Sequence, residues 1–345
     1  MPSSSAAATV ARVGERTLIE RIRARVPAAP SWVVAGIGDD AAIVEPARNT
    51  LDVLTTDALV EGVHFDRRWS SARDIGYRAL AVNLSDLAAM GASPRTALLS
   101  LILPAHLPVA DLDDLLDGFL SAAEPHGLAL VGGNVTASSG PLVVDVTATG
   151  AVRPRRMLLR SGARAGDELY VSGTVGAAAA GLAWLRAEGT TGAGDRAVDL
   201  DPCVRRYLRP EARVRLGGLV GRNRAASACV DLSDGLADAV RQLAAASGTG
   251  AVIDAEALPL DETARRWWGD RGVDPIGAAL TGGDDYELLF AVPRRARRRF
   301  LAVTRLVKQV PVSRIGAITG KAGLSLLRGG VDEPLPDGFA HFSTA

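Results

Sequence analysis

The sequence predicts a chain of mixed α and β class folded as two domains. Strand-like and helix-like hydrophobic periods alternate through both halves. The 345 residues suffice for two cores or one unusually large one. An Arg153-Pro154 step separates the two runs of elements and sets the expected boundary, with residues 1–153 as the first domain and 154–345 as the second. At 48% hydrophobic and 23% charged, the composition excludes a disordered chain, a fibre and a disulfide scaffold.

In chain order, Leu18, Ile19, Ile22 and Val26 fall at helical spacing and predict a helix over 15–25. Trp32 to Ala35 reads as a strand entering Gly36-Ile37-Gly38-Asp39-Asp40. Leu51 to Asp57 reads as a strand ending on polar residues. An Ala- and Leu-rich helix is expected from about 72 to 90, stopped by Gly91. A buried strand over 98–103 closes at Pro104, an amphipathic helix follows over 111–124, and Leu128 to Val131 is a strand meeting Gly132-Gly133-Asn134. The alternation over 141–152 is that of a sheet strand. In the second half, strands are expected over 167–172, 227–232 and 288–292. Helices are expected over 176–186, 210–219, 235–246 and, very basic, 294–305, with a Gly/Thr-rich loop at 189–194. No fixed-period repeat is present, but Asn83-Leu84-Ser85-Asp86 is echoed by Asp231-Leu232-Ser233-Asp234.

Several functions are disfavoured at once. Lys+Arg and Asp+Glu are both 39, so a broad basic footprint for nucleic acid or anionic lipid is not expected. Cys203 and Cys229 lack zinc-pair spacing and suit a reducing, cytoplasmic setting. No stretch has the roughly 20 apolar residues of a membrane span, and the first residues read as a frayed tail rather than a signal peptide.

The acidic residues concentrate beside glycines and at expected strand ends, in five stations: Asp39 with Asp40, Asp57, Asp86, Asp231 with Asp234, and Asp284 with Asp285. Open α/β sheets place ligands at strand ends. An Asp beside Gly is more often a turn former, and Ser85, Asp86, Ser233 and Asp234 have a plain reading as helix caps. Five stations in a neutral chain are harder to dismiss. Carboxylates converging in a low-dielectric cleft repel one another and demand cations. Oxygen-only ligands select hard ions, Mg²⁺ above all when phosphates complete the coordination. The expectation is a polyphosphate cleft holding several Mg²⁺ ions.

Two familiar nucleotide motifs fail. Gly36 to Ala41 fits a loose G-x-G-x-x-A, but Asp39 and Asp40 would face the pyrophosphate and Pro46 leaves little room for a receiving helix. Gly316 to Ala322 is one residue short of a P-loop and has Ala322 where Ser or Thr should hold the metal. Only Lys308 and Lys321 are lysines, so phosphate charge would fall to metals, glycine-loop amides and arginines such as Arg160. His64, Cys229 and the Arg294 to Arg299 cluster have ordinary readings as a loop residue, a core residue and a solvated helix face.

Taken in series, the motifs resemble the bacterial thiamine-monophosphate kinases. They are Gly36 to Ala42, Thr55-Thr56-Asp57 through His64-Phe65, Ala81 to Ala92, Val131 to Thr136, Arg160 to Ala163, Asp231 to Leu236 and Gly282 to Leu288. The resemblance implies a two-domain aminoimidazole ribonucleotide synthetase-like fold, with an N-terminal sheet domain that dimerises and a C-terminal α/β domain. It also implies ATP-dependent phosphorylation of thiamine monophosphate to thiamine diphosphate in a homodimer. On matching positions, Asp40, Thr55, Thr56, Asp57, Asp86, Asp231 and Asp234 would hold Mg²⁺. Gly133, Asn134, Arg160 and Ser233 would serve ATP, and His64, Asp284 and Phe339 would contact thiamine phosphate. No general base is implied. The family often has Asp at the position of Asn134 and Glu at that of Asp284. The N-terminal reactive Cys of a selenophosphate synthetase and the terminal Cys of a hydrogenase-maturation enzyme have no counterpart, and the paired Leu-Ser-Asp echo is not expected of an aminoimidazole ribonucleotide synthetase. A nucleotide-binding regulator without catalysis is the remaining alternative, and the full set of acids speaks against it.

Overall fold

The computed structural model describes residues 8–188 and 200–338. Phe339 and the whole of the 189–194 loop lie outside them. Two compact units are present: residues 1–83 with 94–151, and residues 84–93 with 152–345. Residues 84–93, which a boundary near Arg153 leaves in the first domain, pack within the second. Leu158 donates its amide to Met90 O at 3.1 Å, and Gly217 lies against the Ala88 carbonyl.

The first unit is built on a four-stranded sheet with spatial order Leu51–Val60, Val143–Val152, Ser93–Pro104, Ala129–Ser138. The last two strands run parallel. The period of two sorts the side chains. Leu99, Leu101, Leu103, Val144, Val146 and Ala148 are buried, together with Leu80, Leu112, Leu115, Leu116 and Phe119 from the helices Ala72–Ala89 and Val109–Ala123. These helices cross at two glycines. A Cβ on Gly76 would overlap the Leu115 carbonyl, and one on Gly118 the Arg73 carbonyl. The opposite sheet face carries Leu54, Leu98, Thr56, Asp145 and Thr147, and Leu54 is 72% exposed.

The second unit holds a seven-stranded sheet ordered Val331–Pro334, Leu324–Arg328, Gly250–Asp254, Val312–Thr319, Glu168–Ser172, Leu288–Val292, Ala228–Asp231. Its pairings are antiparallel except that between Leu324–Arg328 and Gly250–Asp254. The three strands Glu168–Ser172, Leu288–Val292 and Ala228–Asp231 are buried along their whole length, so both faces are covered. One face sends Leu169, Val171, Val230, Leu289 and Ala291 into a core with Leu236, Val240 and Leu243 of helix Leu236–Ser247. The other sends Tyr170 and Phe290 against Phe300, at ring separations of 5.0 and 5.4 Å.

Several expectations need correction. The strand expected to end at Asp57 continues to Val60, because Ala58-Leu59-Val60 keeps the alternation and buries Leu59. The second sheet is mainly antiparallel, so the rule that open parallel sheets bind ligands at strand ends does not place its acids. The helix expected over 210–219 spans Val214–Arg222, and a separate helix, Asp201–Leu208, precedes Pro210. Ser85 and Asp86 lie in the last turns of helix Ala72–Ala89 and do not cap its start. The segment after Gly316 to Thr319 enters another strand, which agrees with rejecting a P-loop.

The glycine crossing is testable. Gly76→Ala and Gly118→Ala should each cost about 1–3 kcal/mol through overpacking. Gly218→Ala, a helical site with open space around its Cβ, should be neutral or stabilising. Thermal melts of the three variants check this.

Candidate active site

In the first unit the glycine-rich segment Gly36 to Ala42 and helix Glu15–Arg25 roof the open sheet face around a cavity of about 760 Å³. Gly36, Asp39, Asp40, Gly133, Asn134, Asp145 and Thr147 line it. Asp40, Gly133 and Asn134, all singled out in the sequence, therefore line one cavity. Gly133 is glycine for a steric reason, since a Cβ there would run into the Leu99 carbonyl of the neighbouring strand. Asp39 accepts the Asp40 amide at 3.1 Å, which bends the segment as an acidic turn without a following helix. Asp145 was missed. Its signal was its place in an alternating strand, one step from Thr147 on the same face.

The strand Leu51–Val60 separates the three residues of its motif by pleat. Thr55 and Asp57 share a face with Leu59, while Thr56 points the other way and meets Asp145 at 3.3 Å and Thr147 at 3.2 Å. His64 sits in the turn after this strand, where Nδ1 accepts the Val60 amide at 3.1 Å. That bond sets the neutral ring as the Nε2–H tautomer.

In the second unit Ser85, Asp86, Arg160 and Asp231 come together. Asp231 ends the edge strand and is 5% exposed, and the Ser85 hydroxyl donates to its carboxylate at 2.7 Å. Burial, and then the negative charge of Asp86, push the Asp231 carboxyl up to about 7 against the opposing pull of Ser85 and Arg160. Ser233 and Asp234 follow on the same loop, with the Ser233 hydroxyl 3.2 Å from the Asp234 carboxylate, just before helix Leu236–Ser247. Asp284 is joined to this loop directly, its amide donating to Ser233 O at 2.7 Å. The Leu-Ser-Asp echo thus has two different structural contexts, a helix end and a strand-to-helix loop, and its first serine bonds to the aspartate that opens its second copy.

Two acids beside Asp284 were not singled out for a role. Asp285 is buried and accepts the Gly176 and Ala178 amides at 2.8 and 3.3 Å, while burial pushes its carboxyl up to about 7. Glu287 is buried among Ser172, Arg206 and Arg213. Nothing in the spacing of Arg206 and Arg213 marked them out.

Among the described residues no group of three or more His, Cys, Asp or Glu side chains is arranged to hold a metal ion. This does not conflict with magnesium, which keeps several waters and takes one or two carboxylates plus substrate phosphates. A buried carboxyl raised by a second acid is the donor chemistry that a hard cation stabilises, so Asp86 and Asp231 fit such an ion. Among the described residues no helix is long and apolar enough to cross a membrane.

Comparison with known proteins gives a consistent result. The family described as AIR synthase related protein matches with its N-terminal domain over residues 38–152 and its C-terminal domain over 164–328. A thiamine-monophosphate kinase of Escherichia coli K12 is 41% identical, covering 96% of this chain and 99% of its own. The crystal structure of thiamine-monophosphate kinase from Stenotrophomonas maltophilia K279a superposes with a TM-score of 0.79 at 40% identity, over 90% of this chain and 95% of its own. The structure of AaThiL complexed with AMPPCP and TMP does so at 0.75 and 33%, over 98% and 100%.

Asp231 yields a prediction with a definite sign. Its folded value of about 7 lies above the ordinary 3.8, so the stability it contributes is present below about pH 4 and lost as the pH rises to about 7. In metal-free protein near pH 8, Asp231→Asn should therefore raise the melting temperature by at least about 2 °C. Added Mg²⁺ with ATP should stabilise the parent more than the variant. Scanning calorimetry across pH reads both effects.

Proposed function

The chain belongs to the thiamine-monophosphate kinases of the AIR synthase related family, and from that premise we propose that it transfers the γ-phosphoryl group of ATP to thiamine monophosphate, forming thiamine diphosphate. The observation that carries the reading is the buried Asp231 beside Asp86, an arrangement of like charges that needs a cation and that polyphosphate chemistry supplies with one.

Asp40, Thr55, Thr56, Asp57, Asp86, Asp231 and Asp234 would hold several Mg²⁺ ions, which when bound neutralise phosphate charge in an in-line transfer. Thr56 meets Asp145 and Thr147, which line the same cavity as Asp40. Gly133 and Asn134 would receive ATP through the cavity they line. Asn134 adds a neutral amide where the family often carries a charge. Arg160 and Ser233 would serve the phosphates. The acceptor would be held by His64 through its Nε2–H, by Asp284 facing the cationic thiazolium, and by Phe339. The attacking oxygen belongs to a phosphate that is already ionised, so no side chain has to remove a proton from it. Donor and acceptor are both anionic, and the work of the chain is to align them.

In this reading residues 1–153 form the domain that binds ATP and Mg²⁺ and dimerises, and residues 154–345 form an α/β domain that adds the remaining site residues. Homodimerisation is supported by the open sheet face, where Leu54 is 72% and Leu98 43% exposed. A cytoplasmic setting is supported by Cys203 and Cys229, both buried as free thiols.

Incubation with ATP, Mg²⁺ and thiamine monophosphate should produce thiamine diphosphate, detected by chromatography; absence of product would remove the reading. Asp57→Asn should abolish turnover while leaving the circular-dichroism spectrum and melting temperature near those of the parent. Leu54→Glu should shift the species seen by analytical ultracentrifugation from dimer to monomer.

A further inference from the structure

The segment Gly282 to Glu287 links helix Pro275–Thr281 to strand Leu288–Val292 and carries Asp284. Two of its residues other than glycine sit in the left-handed region, Asp284 at φ 70° and Tyr286 at φ 49°. Neither conformation is favourable for an L residue, and a bulky Tyr there is a genuine outlier. Such a conformation persists only when its surroundings impose it.

The surroundings do so from several sides. Asp284 N donates to Ser233 O at 2.7 Å, Tyr286 N to Leu232 O at 2.9 Å, and Leu232 N to Glu287 O at 2.9 Å. The Tyr286 hydroxyl reaches the Asp284 carboxylate at 3.3 Å. Asp285 is tied to the start of helix Ala177–Glu188 by the Gly176 and Ala178 amides. Arg206 then bridges the residue after Asp284 to the end of the segment, since its Nη2 donates to Asp285 O at 2.9 Å and to Glu287 Oε1 at 2.7 Å.

Glu287 anchors this frame. Its side chain is 0% exposed, accepts from Ser172 at 2.5 Å and from Arg213 Nε at 2.7 Å, and is paired with a second Arg213 nitrogen. Ser172 in turn accepts the Leu288 amide at 2.9 Å. Room for the carboxylate exists because residue 173 is a glycine at φ 61°, where a Cβ would collide with it. Stability alone does not call for this arrangement. The next five residues are buried and apolar, and a buried ion network is commonly replaceable by apolar side chains without loss of stability. What an apolar residue cannot do is hold Arg206 on the Asp285 carbonyl.

We propose that Glu287, acting through Arg206 and with Arg213 and Ser172 as its supports, is a positioning residue that holds Asp284 in its left-handed conformation, aimed at the cationic half of the acceptor. The inference rests on the reading of Asp284 as an acceptor contact. Arg206 and Glu287 touch no substrate in this scheme. Their effect reaches the acceptor only through the turn.

The test is steady-state kinetics of the full-length protein with MgATP and thiamine monophosphate. Arg206→Lys keeps the charge, but its shorter side chain does not bring the ammonium to the point where Nη2 meets both oxygens. It should raise KM for thiamine monophosphate by about tenfold and leave KM for ATP unchanged. Ser172→Ala, which leaves both arginines in place, should move the same constant in the same direction by less, and it serves if Arg206→Lys does not fold. Combined with Asp284→Asn, either variant should lose less in kcat/KM for the acceptor than the product of the single losses, since both act on one contact. Unchanged acceptor KM in these variants, equal rises in both KM values, or multiplicative losses in the cycle would overturn the proposal. Asp284→Asn alone separates the two levels: if it leaves acceptor KM unaltered, the reading of Asp284 falls and the inference with it. If it raises acceptor KM while Arg206→Lys does not, only the inference falls.

Discussion

The negative charge that Asp86 and Asp231 share is the constraint around which the second unit is arranged. A carboxyl placed at the end of a buried edge strand, with another acid beside it and a serine hydroxyl bonded to it, is raised to about 7, first by burial and then by the neighbouring charge. Such a group costs stability whenever it ionises without a cation. The fold tolerates it because the surrounding elements are packed without slack. Gly217 lets helix Val214–Arg222 close on Ala88, and the neighbouring strands are buried on both faces. Stability spent at the site is recovered in the core next to it.

The first unit shows the complementary arrangement. Its sheet is sealed on one side by two helices that touch at Gly76 and Gly118 and is left open on the other. The open face holds exposed leucines and, beneath the Gly36 to Ala42 segment, a cavity whose lining includes Gly36, Gly38, Gly132 and Gly133. A glycine-rich lining suits a ligand rich in phosphate oxygens, because amide groups bring donors without the desolvation penalty of a buried charge. The scarcity of lysine in the chain is consistent with that division of labour.

Much of the fold was legible from periodicity. The helices near 15–25, 72–90 and 111–124 and the strands near 98–103, 143–152 and 288–292 announce themselves through spacings of 3.6 and 2. The extent of the strand through Asp57 was misread because Thr55-Thr56-Asp57 looks like an end, whereas the alternation simply continues through Leu59. The hairpin Leu324–Arg328 with Val331–Pro334 and the helix Asp201–Leu208 were not recognised, being short elements whose stability comes from neighbours distant in sequence. Within the site, acids next to glycines stood out, but Asp145, Glu287, Arg206 and Arg213 did not. Each matters through a partner, and partners are not visible in a linear spacing.

The sequence by itself determined the class of fold, the acidic stations and the family, because side-chain period, glycine placement and motif order are properties of the chain as written. Tertiary structure alone decided which hydroxyl bonds to Asp231, which face of the strand Thr56 occupies, and what clamps the turn at Asp284. Those outcomes depend on residues up to 146 positions apart meeting in a dry interior, where a few ångströms separate a paired charge from an unpaired one, and local pattern carries no record of that distance.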